Sequence, residues 1–389
     1  MKKVIAQHAK NAVKSTRFWF FVSLISLCGA FFSFYPGIFD SAVIYSKDGA
    51  IAPEPQETKA KEIKTVSLPP LDKDLYDRKM EELANNPPPP PPVTKIVKNP
   101  ETGAEETMVV EKPAPKYLWP VKTTYPNAGA LLPFNRIIAY YGNLYSTKMG
   151  ALGQYPEEEM LGRLMAEVKK WEAADPTTPV VPALHYIAVV AQAGAGQDGK
   201  YRARMPSTEI DKVLVMAEKI NAIVFLDIQV GFSTVQAEIP LLEKYLKMRN
   251  VHLGLDPEFS MKSGIRPGKI VGTMDATDVN FAATYLAKLV KENNLPPKVL
   301  VIHRYTQRMV TNYQSMLPLP EVQIVMHMDG WGGQAKKIGT YTHFIYPEPV
   351  QFTGFKLFYK NDTLDPGTLL FEPAQLLKLN PRPIYIQYQ

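Results

Sequence analysis

The stretch Leu253–Phe259 (LGLDPEF) carries the side chains with the most specific chemistry in this sequence. Asp256 and Glu258 stand two residues apart, so in an extended strand both carboxyls would face the same side. Neighbouring carboxylates repel as anions, which raises one pKa and keeps that group protonated at neutral pH. A protonated carboxyl can act as the general acid that protonates a departing glycosidic oxygen. We therefore predict Glu258 as a catalytic acid, with Asp256 tuning its pKa.

The same pair also has a purely structural interpretation. One carboxylate would form a salt bridge with Arg304 or Lys356, and the other would cap the following loop. Two further carboxylates, Asp227 and Asp329, complete the predicted catalytic set. In the catalytic interpretation, one of them activates water or stabilises the positive charge that develops on the sugar.

Eight short apolar runs position these groups, and each run ends in polar or ionisable residues. They read RIIAYYGN, VVPALHYIAVVAQ, IVFLDIQV, VHLGLDPEFS, KVLVIHRY, VQIVMHMDGW, FTGFKLFYKND and PIYIQYQ. Stretches with helical periodicity separate most of them, which predicts parallel βαβ units. Eight such units predict an α/β fold of the (β/α)8 TIM-barrel type, whose active sites lie at the C-terminal ends of the strands.

The run endings therefore supply a set of candidate binding residues. Aromatic rings in this set would stack on sugar rings, and polar groups would contact hydroxyls. The predicted binding residues are Tyr140, Tyr141, Asn143, His185, Gln229, His303, Arg304, His327, Trp331, Lys356, Tyr359 and Gln387. Strands alternate their side chains, so about half of such a set points away from the barrel interior. Barrel interiors usually hold Val, Ile or Leu at these positions. The high density of ionisable groups therefore favours a functional site at the barrel mouth, the C-terminal ends of the strands.

The segment 133–389 is the predicted barrel, and its roughly 257 residues match the usual size of about 250. The helix expected at Glu157–Ala174 has apolar residues at i, i+3 and i+4, the spacing of a stripe that packs on a sheet. A doubly wound open sheet is the main alternative. The sequence has no glycine-rich GxGxxG turn after the first run, and the count of eight favours closure.

Two short motifs resemble known barrel enzymes. The Asp-x-Glu that ends the fourth run resembles that of chitinase-type glycoside hydrolases and barrel lysozymes, in which the Glu is the acid. Met326-His327-Met328-Asp329 is similar to the Met-x-Tyr-Asp stretch of the chitinases. The chain departs from the chitinase pattern at Val251 and Gly254, which replace aspartates, and at Met328, which replaces the tyrosine. The seventh run ends in lysines, without the nucleophilic Glu of many retaining barrel glycosidases.

A broader resemblance extends across the whole barrel segment. PVVPALHYIAVVAQ, VHLGLDPEFSMK and PVQFTGFKLFYKND resemble an uncharacterised family of exported bacterial TIM-barrel proteins and lipoproteins. That family implies export and a barrel, and it implies no particular activity.

Two further functions remain open from the sequence. His185, His303 and His327, with Asp227 or Asp329, have the ligand chemistry of a metal-dependent hydrolase. The His-x-His that many such barrels carry on the first strand is missing. The other alternative is a non-catalytic barrel that binds glycans or acts as a scaffold, because a fold does not fix a function.

The first 39 residues indicate a membrane anchor. Residues 18–39 form an uncharged stretch of 22 residues, long enough to cross a bilayer as a helix. Five basic residues and no acidic residue lie in residues 1–17, so we expect a cytoplasmic N-terminus and an extracytoplasmic barrel. The predicted location is the inner or plasma membrane, with a single pass. A cleaved signal peptide and a lipid attached to Cys28 are the alternatives.

Residues 40–132 resemble a proline-rich tether. Pro87–Pro92 is an unbroken run of six prolines, which favours a stiff polyproline II spacer. A ligand for an aromatic-lined groove is the alternative. Within this segment, residues 71–86 are predicted to form one short amphipathic helix.

The bulk composition limits the partners. The net charge of the chain is +6. The barrel segment has no stripe of basic residues interleaved with aromatic residues, so we predict no nucleic-acid binding. A single cysteine excludes a disulfide framework or thiolate metal cluster within one chain. The predicted partners are a membrane and a carbohydrate polymer, and no cofactor is predicted.

Overall fold

A computed structural model describes residues 68, 70–98, 103, 105–110 and 115–389. Eight parallel strands form its centre, one from each apolar run. They are β1 (Arg136–Gly142), β2 (Val180–Ala191), β3 (Ile223–Ile228), β4 (Val251–Leu255), β5 (Lys298–Arg304), β6 (Val322–Met328), β7 (Phe352–Leu357) and β8 (Tyr385–Tyr388). Each strand pairs in parallel with the next. Tyr385 of β8 pairs with Ile137 of β1 and closes the ring. The (β/α)8 barrel is confirmed, and the open-sheet alternative is wrong.

Helices connect most of the strands. The α-helices are α1 (Lys73–Ala84), α2 (Ala151–Gln154), α3 (Glu157–Ala174), α4 (Ser207–Glu218), α5 (Val235–Glu238), α6 (Glu243–Leu246), α7 (Ala276–Glu292), α8 (Gln334–Thr340) and α9 (Pro373–Leu376). In α3, three glutamates occupy the first turn, where the helix dipole favours negative charge. In α7, Asp275 and Asp278 form a reciprocal capping box that fixes the start of the helix.

One connection is built from short turns. Between β5 and β6, the stretch 306–317 forms two short 3-10 turns, Gln307–Met309 and Tyr313–Ser315. Val310 and Thr311 lie between these turns and pair with Met274 and Asp275. This local strand pairing takes the backbone groups that a continuous helix would need.

The barrel interior has an apolar lower part at the N-terminal ends of the strands. Small and branched side chains fill it, among them Ile137, Ala183, Val299 and Val301. The outward side chains of the strands form a second core with the helices, in which Trp171 of α3 is fully buried. The ionisable cluster described below lies above this apolar layer, and the buried His252 and Gln323 in the lower part bond backbone groups of Val299 and Leu132.

Helix α1 packs against the lower part of the barrel. Asp72 caps its start by accepting from the backbone N–H of Leu75 at 2.9 Å. Tyr76 and Met80, one turn apart, are buried with the apolar residues of the lower interior. The sequence predicts a helix in this range, but it does not predict this packing. The division of the chain at residues 17, 39 and 132 stays a prediction.

The proline-rich segment contains a further element. Val93–Lys98 and Glu105–Val110 pair as an antiparallel hairpin, which the sequence does not predict. The six prolines that precede it, Pro87–Pro92, are exposed. Their role as a spacer stays a prediction.

The predicted anchor at residues 18–39, with Cys28, lies outside the described residues. Among the residues that the structure describes, no helix has the length and apolar character needed to span a membrane. The anchor, its orientation and the extracytoplasmic location therefore stay predictions.

Candidate active site

The strand pairing in the closed barrel brings polar side chains from neighbouring strands to one level of the interior. Tyr141 of β1 pairs with His185 of β2, and His303 of β5 pairs with His327 of β6. Asp227 of β3 is fully buried at the same level. Strand alternation directs these five side chains inward, above the apolar lower part.

Asp227 lies between two imidazoles. Its Oδ1 is 3.2 Å from Nε2 of His185 and 3.5 Å from Nε2 of His303. Its other oxygen accepts from the Tyr141 hydroxyl at 3.0 Å. Because His185, Asp227 and His303 have no exposed surface, a bulky substrate cannot touch them directly.

The far side of each imidazole is also held. Nδ1 of His303 is 2.8 Å from Oδ2 of Asp329, and Nδ1 of His185 is 2.6 Å from the Tyr385 hydroxyl. Gln387 donates to that same hydroxyl at 2.9 Å. These contacts fix both ring orientations.

The charges in this cluster balance one another. Burial alone would lower the pKa of His303, but the carboxylates of Asp227 and Asp329 outweigh it and raise that pKa to about 10. Burial would raise the pKa of Asp227, yet the two imidazoles hold it well below its ordinary value. Burial lowers the pKa of His185 to about 4. His303 thus carries the positive charge between two ionised carboxylates.

Lys356 completes the ionised group. Its Nζ lies 2.9 Å from Oδ1 of Asp329 and 3.9 Å from the centroid of the Tyr141 ring. Lys356 and His303 together hold the pKa of Asp329 well below its ordinary value, although burial alone would raise it. Asp329 is therefore an anion at the C-terminal end of β6.

The Asp256–Glu258 pair does not have the extended geometry that its spacing suggests. Strand β4 ends at Leu255, and Pro257–Phe259 forms a 3-10 turn. Asp256 caps this turn, since its Oδ1 accepts from the backbone N–H of Glu258 at 3.1 Å. The capping part of the structural interpretation is therefore correct, and the expectation that both side chains share a strand face is wrong.

The expected salt bridges to this pair are not formed. Arg304 points out of the barrel, where it binds backbone carbonyls and pairs with Glu348 at 2.5 Å. Lys356 pairs with Asp329 instead. Asp256 is held by Gln229, whose Nε2 donates to Oδ2 at 3.2 Å. Burial, with Asp227 and Asp329 nearby, raises the pKa of Asp256 to about 7.

Glu258 lies at the rim and is partly exposed. Burial of its carboxyl, together with the nearby charges of Asp256 and Asp329, raises its pKa to about 8. The Tyr305 hydroxyl forms a hydrogen bond with the Glu258 carboxyl. The predicted acid is therefore protonated at neutral pH, and its residue retains some exposed surface at the rim.

Most of the predicted residues converge on this interior. Besides Glu258 at the rim, those that face it are Tyr141, His185, Asp227, Gln229, Asp256, His303, His327, Asp329, Lys356 and Gln387. His327 is buried, and neither ring nitrogen has a hydrogen-bond partner among the described residues. Burial lowers its pKa well below the ordinary value, so the ring is neutral.

Four predicted binding residues lie elsewhere. Tyr140 and Tyr359 pack between the barrel and the helices, where their hydroxyls are 2.9 Å apart. Asn143 anchors a loop by donating to the carbonyl of Ile187 at 2.9 Å, and Arg304 faces outward as described. Trp331 follows β6 at the rim, with Nζ of Lys336 4.4 Å from its ring centroid.

Four residues of the site were not predicted. Tyr385 and Tyr305 contact His185 and Glu258, respectively. Two glycines make room for the imidazoles, because a Cβ on Gly254 or Gly354 would lie within 2.5 Å of a ring nitrogen of His185 or His327. The polar upper interior and strand alternation could have indicated Tyr385, since it stands two residues before Gln387.

Comparisons with known proteins give distant matches among solved structures. No protein-family model matches the chain, and no curated protein matches it. Among solved structures, a cellulase aligns over 69% of this chain and 79% of its own, with 13% identity and a TM-score of 0.40. A hyperthermophilic endo-β-1,4-glucanase aligns over 66% and 89%, with 12% identity and a TM-score of 0.37. A chitinase from Pseudoalteromonas aurantia aligns over 66% and 94%, with 11% identity and a TM-score of 0.30. The strand pairings, and not these alignments, define the class of this protein as a closed (β/α)8 barrel.

Proposed function

We propose that the barrel mouth hydrolyses glycosidic bonds of an envelope or extracellular polysaccharide, with Glu258 as the general acid. The observation that carries this proposal is the state of Glu258, which is partly exposed and has a pKa raised to about 8. A carboxyl of this kind can donate a proton to a leaving-group oxygen at neutral pH. Its position after β4 is also where barrel enzymes hold catalytic groups.

Asp329 supplies the second carboxyl in this proposal. Its pairing with Lys356 and His303 keeps it ionised, and its negative charge would stabilise the oxocarbenium-like transition state. Asp256 keeps Glu258 protonated through its own charge and orients the turn that carries it. Asp227 takes no direct part, because it is fully buried beneath Asp256 and Gln229.

The acid role is tested with two substrates that differ in leaving group. Glu258→Ala should lower kcat/KM on a polysaccharide by about 10²–10⁴-fold, the usual contribution of general acid catalysis. The same variant should lose far less on a dinitrophenyl glycoside of the same sugar, because that leaving group departs without protonation. Glu172→Ala, at an exposed position of α3, is the matched control and should behave as the wild type.

The outcomes separate an enzyme from a binding module. Equal losses on both substrates would remove Glu258 as the acid. Saturable binding across a glycan panel without any hydrolysis by the wild-type chain would instead indicate a barrel that binds glycans.

A further inference from the structure

Three buried polar atoms beneath the mouth face one another at ion-pair distances, without hydrogen-bond geometry. They are Nε2 of His185, Oδ1 of Asp227 and Nε2 of His303, and none has a hydrogen-bond partner among the described residues. All three side chains have no exposed surface. Buried polar atoms that are held only by such longer contacts are uncommon in native proteins, so three in one place need an explanation.

The opposite polar atoms of the same three side chains are held by the protein. His303 Nδ1 contacts Asp329, His185 Nδ1 contacts the Tyr385 hydroxyl, and Asp227 Oδ2 accepts from Tyr141. This is the usual arrangement around a metal ion, in which a carboxylate, hydroxyl or similar group orients each ligand from behind. It leaves one potential ligand atom of each side chain directed toward the centre, and metal binding there would displace the proton that His303 carries in the metal-free chain.

The spacing of the three free atoms also fits a metal ion. They all lie within 4.8 Å of one another, and Oδ1 of Asp227 is 3.2 and 3.5 Å from the two imidazole nitrogens. Tetrahedral ligands with metal bonds of about 2.0–2.1 Å are themselves about 3.3–3.4 Å apart. The two separations from Asp227 Oδ1 bracket that value.

Gly254 leaves the space that such an ion requires. A Cβ at this position would lie within 2.5 Å of His185 Nε2 and closer still to Asp227 Oδ1. Any side chain on β4 at this level would therefore fill the space between the free atoms. The glycine keeps the centre of the cluster open.

We propose that His185, Asp227 and His303 bind one divalent transition-metal ion beneath the barrel mouth, with Zn²⁺ as the best-matched ion. Two imidazoles and one carboxylate are a common three-ligand set for Zn²⁺, with a fourth position left for water. Of the ligands in the sequence-based hypothesis, His185, His303 and Asp227 belong to this set, whereas His327 does not. The site stands independently of the hydrolytic role of Glu258.

The first experiment measures metal in the untagged full-length wild-type chain. After dialysis against buffer with Zn²⁺ and then without it, mass spectrometry of the metal content should find about one ion per chain. Zn²⁺ should raise the melting temperature in proportion to its logarithmic concentration, and a chelator should reverse the rise. A Co²⁺-loaded sample should show the visible absorption of tetrahedral Co²⁺. A folded wild-type chain with no bound metal and no change in melting temperature would overturn the proposal.

Variants locate the ion within the chain. Asp227→Asn and His303→Gln should each weaken Zn²⁺ binding at least tenfold while leaving the far-ultraviolet circular dichroism unchanged. His343→Asn is the matched control, because His343 is an exposed histidine outside the barrel, and it should bind as the wild type does. Full binding by Asp227→Asn would place the ion elsewhere and overturn the assignment. If a variant does not fold, the Zn²⁺ and chelator dependence of the wild-type melting temperature still decides whether a site exists.

Discussion

Replacing Glu258 by glutamine should change how stability depends on pH. Because the pKa of Glu258 is about 8 in the folded chain and 4.5 ordinarily, the folded state holds a proton that the unfolded state has lost between these values. Folding stability from this group is therefore fully present below pH 4.5 and declines as the pH rises through about 8. A tenfold change in an acid dissociation constant corresponds to about 1.4 kcal/mol. The difference between pKa values of 4.5 and about 8 therefore gives about 5 kcal/mol as the upper limit of this stability contribution. Glu258 is partly exposed, so solvent screening reduces the effect to about 2 kcal/mol.

Urea unfolding of the wild-type and Glu258→Gln chains from pH 4.5 to 9 measures this effect. The amide cannot ionise, so the variant should gain about 2 kcal/mol relative to the wild type across this range. Glu172→Gln is the matched control at an exposed site of α3, and its curve should run parallel to that of the wild type. Parallel curves for Glu258→Gln and the wild type would refute the raised pKa and, with it, the protonated acid.

Three further substitutions test the packing that holds the site. Gly254→Ala should cost about 1–3 kcal/mol of unfolding free energy through overpacking. Its control, Gly162→Ala, has open space around it on α3 and should stabilise the chain by about 0.5–1 kcal/mol. Shifted urea midpoints with unchanged slopes would show both effects. In the wild type, Nζ of Lys337 lies 2.8 Å from the buried carboxylate of Asp362. Lys337→Met leaves that carboxylate without its cationic partner and should cost about 3–5 kcal/mol of unfolding free energy. A loss below about 1 kcal/mol in the same assay would contradict this. Met80→Ala should cost about 2–5 kcal/mol, and a negligible loss would show that α1 does not stabilise the barrel.

The eight strands could be predicted because each is a continuous apolar run bounded by polar residues. The same continuous apolar pattern gives no information on which face of the strand each side chain occupies. Strands buried on both faces carry no hydrophobic alternation, so the sequence could not separate inward Tyr141 from outward Tyr140. His303 and Arg304 posed the same problem, since both are fully buried on opposite faces of β5.

The geometry of the catalytic pair could not be predicted from spacing alone. An extended strand would have aligned Asp256 and Glu258, but the chain leaves the strand at Leu255 and turns at Pro257. Proline has no backbone N–H to continue a ladder and favours such a turn. The partners of Asp227 come from β1, β2 and β5, and such distant contacts exist only once the barrel closes.

The position of α1 sets the direction in which the protein presents its mouth. The helix packs at the N-terminal ends of the strands, whereas Glu258 and Asp329 follow the C-terminal ends. A pull transmitted through the chain ahead of Lys73 therefore acts on the base of the barrel, opposite the rim. An attachment ahead of Lys73, such as the predicted anchor, would therefore hold the barrel from its base and leave the rim unobstructed.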